Sequence, residues 1–136
     1  MPGSKSDYLE AKVLDHILGG GDYTRPATVH AALFSAAPSD SGGGTEASGG
    51  SYARVAVTNN ATNWPAATGT TTVKSNGTAI TFPRATAAWG TMSHWALFDA
   101  ATAGNLLYWG AITTPKAVAI DDTPSFGAGA LTITED

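Results

Sequence analysis

The 136-residue chain is long enough for one domain with its own core, and it has no cysteine, which excludes disulfide scaffolds, thiolate zinc sites and cysteine nucleophiles. Charged residues make up only 13% of it, about half the usual share, and the net charge is −4. Its seven Lys and Arg residues are scattered singly, so neither nucleic-acid binding nor contact with a membrane is expected. No apolar run is long enough for a signal peptide or a membrane span, so we expect synthesis in the cytoplasm.

The first predicted element is an α-helix over residues 7–18. Asp7 is suited to cap it, and Glu10, three residues later, completes a capping-box pattern. Apolar residues at helical spacing predict one continuous face, formed by Tyr8, Leu9, Val13, Leu14, Ile17 and Leu18. This face either packs on the chain's own domain or lies on a neighbouring subunit as an arm. We divide the chain accordingly into a helical arm, residues 1–21, which ends in three glycines, and a β-sandwich domain, residues 22–136.

The first half of the β region is predicted to contain four strands and two loops. Strands are expected over residues 28–36, 52–58, 70–74 and 79–82. The Ser- and Gly-rich loop over residues 39–51 is expected to be exposed and mobile, and a second loop covers residues 59–69. Asn76-Gly77 is a strong hairpin signal, which predicts that the strands on either side of it pair with each other.

The second half is predicted to contain four more strands, over residues 92–98, 106–112, 116–120 and 125–134. Along the first of them, Met92 is expected on the same face as His94 and Ala96, opposite Trp95 and Leu97. About eight short strands with Gly- and Asn-rich turns predict a mainly β protein. We expect a single antiparallel β-sandwich or jelly roll with one N-terminal α-helix.

No group of reactive side chains stands out along the chain. The three histidines have no ligand spacing to one another: His16, His30 and His94. Aspartates fall mainly at strand ends, where turn formation is their ordinary role. The Ser and Gly residues near Ser51 lack the Gly-x-Ser-x-Gly elbow of serine hydrolases. We therefore expect no catalytic residue, no metal ion, no cofactor and no enzymatic activity, although a carboxylate pair of the glycosidase type stays open at this point.

The four tryptophans are the most notable set of side chains. They can pack in the core, lie at a subunit interface or stack on sugar rings. Trp64 is in a loop beside Pro65 and is the tryptophan most expected to be exposed. The residues that we expect to contact a protein partner are Tyr8, Leu9, Lys12, Trp64, Trp95 and Trp109.

Several segments of the chain resemble a family of small structural proteins of tailed bacteriophages. The most specific is the block Glu46-Ala47-Ser48-Gly49-Gly50-Ser51-Tyr52-Ala53-Arg54. The other segments that carry the resemblance are Leu14-Asp15-His16-Ile17-Leu18-Gly19-Gly20, Tyr23-Thr24-Arg25-Pro26-Ala27-Thr28-Val29, Ala32-Leu33-Phe34, Ile80-Thr81-Phe82-Pro83, Trp89-Gly90-Thr91, Phe98-Asp99-Ala100-Ala101-Thr102, Leu106-Leu107-Tyr108-Trp109-Gly110 and Ser125-Phe126. Members are commonly described as tail-fibre proteins, and the size and β architecture are also similar to those of capsid cement proteins.

This resemblance implies a non-enzymatic structural component of the virion that binds other virion proteins. The chain lacks the repeats and heptads of long fibres, which favours a cement protein on the capsid exterior, bound to the major capsid protein. The alternative is a tail-fibre or baseplate component with tail or baseplate proteins as partners, and the second alternative is a carbohydrate-binding module. A homo-oligomer, either a dimer or a trimer, is expected.

Overall fold

The structure, a computed structural model, describes residues 3–135 and contains ten β-strands and one α-helix. In chain order these are β1 (Ser4–Lys5), α1 (Asp7–Ile17), β2 (Thr28–Ala36), β3 (Thr45–Glu46), β4 (Val55–Thr58), β5 (Thr72–Ser75), β6 (Ile80–Thr81), β7 (Gly90–Phe98), β8 (Leu106–Val118), β9 (Ser125–Phe126) and β10 (Thr132–Glu135). The predicted class, mainly β and antiparallel with one helix near the N-terminus, is confirmed. The layers resemble a sandwich, whereas the strand connections do not establish a jelly roll.

The helix begins at Asp7, but its N-cap is Ser6 and not the predicted Asp7, and it ends at Ile17 with Leu18 as the C-cap. The Ser6 hydroxyl oxygen accepts a hydrogen bond from the Leu9 N–H at 3.2 Å and itself donates to the carbonyl of Leu106 on β8. Ser6 is fully buried, so its side chain is fixed against the sheet and is placed to accept the free N–H of Leu9 in the first turn of the helix. The cap therefore also anchors α1 to β8.

A six-stranded sheet forms the framework, in the order β1-β8-β7-β2, with β3 and β4 sharing the other edge of β2. The bounds predicted for β2, residues 28–36, are those observed. Its first half pairs with β4 and its second half with β3. All strand pairs among the described residues are antiparallel.

The two strands predicted over residues 106–112 and 116–120 form one long strand, β8. Its pairing with β7 shifts register between Met92 and His94, and Pro115 of β8 falls within this irregularity. Proline is tolerated there because a bulge leaves backbone positions out of the hydrogen-bond ladder. The predicted faces of β7 are wrong at Met92, which was expected opposite Trp95 and Leu97. Met92 lies in the same core cluster as these two residues.

The hairpin predicted at Asn76-Gly77 is wrong. The strands on either side of it do not pair with each other: β5 pairs with β10, and β6 pairs with β9, giving two separate two-stranded ribbons. Asn76 is buried and hydrogen-bonds to residues of the C-terminal segment, which directs the chain away from a local turn. The last predicted strand, residues 125–134, is likewise divided into β9 and β10.

The main hydrophobic core lies between one face of the sheet and the layer formed by α1 and the ribbons. It joins sheet residues such as Leu33 and Trp95 to Leu9 of α1 and Ile133 of β10. A smaller cluster on the opposite face contains Ala32, Phe34, Ala96 and Leu106. The loop over residues 39–51 was predicted to be exposed, but part of it is not. Its Thr45–Glu46 segment pairs with β2, and Ala47 reaches the main core.

Candidate contact surfaces

An exposed apolar face on α1 is the most prominent surface feature of the chain. The side chains that form it are Val13, Leu14, Ile17 and Leu18, which are 37%, 61%, 69% and 72% exposed. Leu9 is the one buried residue of the helix. At about 100° per residue, Leu14 lies about 140° around the helix from Leu9, so a helix docked through Leu9 turns Leu14 outward. The predicted single face is therefore divided between the core and the exterior.

The backbone after α1 is fixed by hydrogen bonds, which hold this apolar face in place. The N–H groups of Gly20 and Gly21 donate to the Asp15 carbonyl at 3.2 and 3.1 Å. The N–H of Tyr23 donates to Nδ1 of His16 at 3.1 Å. These contacts close the helix C-terminus onto the following segment, so the apolar residues are presented on an ordered element.

Three residues of α1 were expected at a contact: Tyr8, Leu9 and Lys12. Tyr8 is half-buried and Lys12 is exposed. The Lys12 ammonium is 5.6 Å from the centre of the half-buried Tyr8 ring, within the range of a cation–π contact. Leu9, the third, is 5% exposed and anchors the helix to the core. The large apolar residues of this region that face outward are therefore Val13, Leu14, Ile17 and Leu18, none of which was among the expected contact residues.

The three tryptophans expected at a contact occupy different positions. Trp95 is 3% exposed and lies in the main core. Trp109 is half-buried, and its indole N–H donates to Oδ1 of Asp40 at 2.9 Å. The expected exposure of Trp64 is wrong, since it is only 7% exposed. Its backbone N–H donates to the Asn60 carbonyl at 2.9 Å, so residues 60–64 form a tight turn that directs the indole into the core.

A partly buried ion pair beside the small cluster was not anticipated from the sequence. Arg54 binds Glu46 through two hydrogen bonds, Nε to Oε2 at 2.9 Å and Nη2 to Oε1 at 2.8 Å. Its Nη1 donates to the carbonyls of Ala100 and Ala103 in the β7–β8 turn at 2.9 and 2.8 Å. The guanidinium also lies 3.7 Å from the centre of the Phe98 ring. The pair ties β3 to that turn and has a structural role.

Tyr52 completes this cluster and gives the fold a sensitivity to alkaline pH. Its hydroxyl donates to Oε2 of Glu46 at 2.7 Å and accepts from the Leu33 N–H at 3.1 Å. Burial raises the pKa of Tyr52, the bond from Leu33 opposes this rise, and the bond to Glu46 adds to it. A tyrosine that keeps its proton in the folded state contributes stability that is complete below its unfolded pKa, about 10, and declines as the pH rises above it.

We therefore expect the free energy of unfolding to decrease above about pH 10, and Tyr52→Phe to make that decrease shallower. Urea unfolding of both proteins between pH 8 and pH 11 measures the two slopes. Burial also raises the pKa values of Tyr23 and Tyr108, so a smaller slope should persist in the variant. Identical slopes in the two proteins would show that Tyr52 does not carry this effect.

Among residues 3–135 there is no group of three or more His, Cys, Asp or Glu side chains placed to hold a metal ion. No helix within this range has the length and apolar character needed to cross a membrane.

Comparison with protein families identifies the chain. No curated protein matches it significantly. The family described as Podophage GP4 fiber I protein gp80 matches residues 4–134, which is nearly the whole chain and includes α1 and all the strands except the last residue of β10. The chain therefore belongs to this family and is a bacteriophage structural protein.

Proposed function

We propose that the chain is a non-enzymatic subunit of a phage tail fibre and that it assembles through the exposed apolar face of α1. The description of its family as a fibre protein supports the tail location more than the capsid exterior. The observation that carries the contact surface is the outward position of Leu14, Ile17 and Leu18, each more than 60% exposed.

The size of this face fits a role in assembly. Fully burying a leucine or isoleucine side chain contributes about 1.5 to 3 kcal/mol. Since Leu14, Ile17 and Leu18 are 61%, 69% and 72% exposed, covering what remains of all three contributes on the order of 3 to 6 kcal/mol. Exposed polar residues on the same helix, among them Glu10, Lys12 and Asp15, would fix the orientation of a partner more than the affinity. The partner is a second copy of the chain, in a dimer or trimer, or a neighbouring tail or baseplate protein.

The lack of internal repeats does not weigh against a fibre. A fibre can be built from several different small proteins, so one component in a closed dimer or trimer needs no internal repeat of its own. The cement alternative, with the major capsid protein as partner, predicts a different copy number. A head-decorating protein is present at about the number of capsid subunits, whereas a tail component is present in a few copies at one vertex.

Ile17→Glu tests the proposed contact surface. Incorporation into virions should fall at least tenfold, because a carboxylate would be desolvated in the interface. Ile120→Glu is the matched control, since Ile120 is 61% exposed and lies outside α1. Quantitative mass spectrometry of purified virions measures the copies of each variant against the major capsid protein.

Both variants should keep the wild-type melting temperature, since neither side chain is in the core. Normal incorporation of Ile17→Glu, or equal losses in the two variants, would contradict a contact through α1. A wild-type copy number close to that of the major capsid protein would overturn the fibre assignment in favour of head decoration.

A further inference from the structure

The fold depends separately on each residue of the dipeptide Asn76-Gly77, which lies between β5 and β6. The Asn76 side chain is 2% exposed, and its amide nitrogen donates to the carbonyls of Thr78 and Gly127, each at 2.9 Å. Its Oδ1 accepts from the N–H of Leu131 at 2.9 Å. Asparagine is the side chain of this length that carries both donors and an acceptor, so these bonds require it.

Gly77 is required by the close approach of the loop over residues 59–69. A Cβ at position 77 would lie 2.4 Å from the Thr62 carbonyl oxygen and 2.8 Å from Cγ of Pro65. Even an alanine would therefore displace this loop. The fold thus keeps the one Asn-Gly sequence of the chain for two independent reasons, neither of which is a hairpin turn.

The same dipeptide is chemically reactive wherever the chain is open. The backbone nitrogen of Gly77 can attack Cγ of Asn76, because glycine has no side chain to shield that nitrogen. The nitrogen gives its proton to a base in the solvent, the N–Cγ bond forms, and the Cγ–Nδ2 bond breaks with release of ammonia. Water then opens the resulting succinimide ring at either carbonyl, which leaves aspartate or isoaspartate at position 76. The reaction consumes water and needs no oxidant or reductant.

The folded structure opposes each stage of this reaction. The attacking nitrogen is engaged, since the N–H of Gly77 donates to the Asn63 carbonyl at 2.7 Å. The Asn76 amide is held by its three hydrogen bonds, and its burial excludes the water that opens the ring. Reaction therefore requires residues 76–78 to separate from the C-terminal segment that contains Gly127 and Leu131. Because this chemistry is slow compared with local opening and closing, its rate follows the population of the open form.

The product cannot return to the folded structure. Aspartate at position 76 has no donor for the Thr78 and Gly127 carbonyls, and it would bury a charge. Isoaspartate also lengthens the main chain by a methylene. We propose that Asn76-Gly77 is a self-modification site, at which a transient opening of this region becomes a permanent loss of the fold. The inference goes beyond the fibre assignment and does not depend on it, because the reaction is a property of the chain alone.

The test compares the full chain folded in buffer with the full chain unfolded in guanidinium chloride, at the same mildly alkaline pH. Peptide mass spectrometry measures aspartate and isoaspartate at position 76 over time. We expect the reaction to be at least about a hundredfold slower in the folded chain. Asn60 is the matched control, since it is exposed and is followed by alanine, so folding should change its slow reaction little. In the unfolded chain, where no close approach matters, Gly77→Ala should slow the reaction at Asn76 at least about tenfold.

Refolding by dilution after increasing times in denaturant tests the permanent loss. The refolded yield should fall in step with the share of chains modified at position 76, and size-exclusion chromatography should find those chains outside the folded fraction. The same incubation in mild acid, where the attacking nitrogen keeps its proton, should preserve the yield. Similar rates in the folded and unfolded chain, or an unchanged rate in Gly77→Ala, would overturn the proposal. So would modified chains that refold as well as unmodified ones. None of these results affects the fibre assignment, which is tested by incorporation into virions.

Discussion

Replacing Asn76 by alanine should lower the free energy of unfolding by about 3 kcal/mol. The side chain is 2% exposed, and its amide nitrogen donates to the carbonyls of Thr78 and Gly127, each at 2.9 Å. Its Oδ1 accepts from the N–H of Leu131 at 2.9 Å. Alanine would remove all three bonds and leave buried backbone groups without partners, at about 1 to 3 kcal/mol for each group that water cannot reach. Equilibrium unfolding in urea measures the loss.

Asn60→Ala is the matched control for this experiment. The Asn60 side chain also accepts two hydrogen bonds, from the N–H groups of Thr62 and Asn63 at 3.1 and 2.9 Å, but the residue is exposed. Water replaces the lost acceptor there, so we expect a cost of about 1 kcal/mol or less. Asn76→Asp should be as destabilising as Asn76→Ala, because it removes both amide donors and buries a charge. Equal costs at positions 76 and 60 would contradict the central role of Asn76.

The sequence predicted the local elements well and the strand pairing poorly. The bounds of β2 were predicted because they depend on a local alternation of side chains and on the proline that follows, Pro38. The hairpin at Asn76 failed because its outcome depends on residues far along the chain, Gly127 and Leu131. A turn propensity worth a fraction of a kcal/mol is outweighed when the turn residue itself is buried in three tertiary hydrogen bonds.

The apolar helix could be predicted from the sequence, but the residues of it that are exposed could not. Helical spacing placed Leu9, Leu14 and Ile17 on α1, and only the docking of Ser6 and Leu9 against β8 determines that Leu14 and Ile17 face outward. The position of Trp64 was missed for a similar reason. The proline beside it is typical of an exposed loop, whereas the turn that buries it depends on backbone bonds to Asn60. Solvent exposure is set by tertiary contacts that no local pattern encodes.

A cavity of about 260 Å³ lined in part by Tyr23, Trp64 and Tyr108 shows the same limit of local patterns. The sequence suggested sugar binding through an exposed Trp64 as one alternative. The structure instead places Trp64, 7% exposed, in the wall of a largely apolar cavity. Tyr23, Trp64 and Tyr108 are more than 40 residues apart along the chain between successive members. Their convergence follows from the packing of α1, the sheet and the β5–β10 ribbon around one space, so periodicity alone gave no indication of it.

Arg54→Met is the second substitution with a large expected effect, a loss of about 3 kcal/mol in the free energy of unfolding. The variant would leave the Glu46 carboxylate without its counter-charge and the Ala100 and Ala103 carbonyls without a donor. Breaking a buried pair by removing one partner costs about 3 to 5 kcal/mol. The lower end applies here because the Glu46 side chain is 24% exposed and keeps some hydration, whereas that of Arg54 is 7% exposed.

Two further variants separate the ion pair from the loss of packing. Glu46→Gln combined with Arg54→Met should recover part of the stability, because no unpaired charge then remains in the cluster. The exposed pair between Arg84 and Asp121, with side chains 63% and 68% exposed, provides the matched control, and Arg84→Met should cost less than about 1 kcal/mol. If Arg54→Met cost no more than Arg84→Met, the Glu46–Arg54 pair would not be what holds β3 to the β7–β8 turn. If instead the double variant were less stable than Arg54→Met alone, the contacts of Glu46 with Tyr52 would carry the stability assigned to the pair.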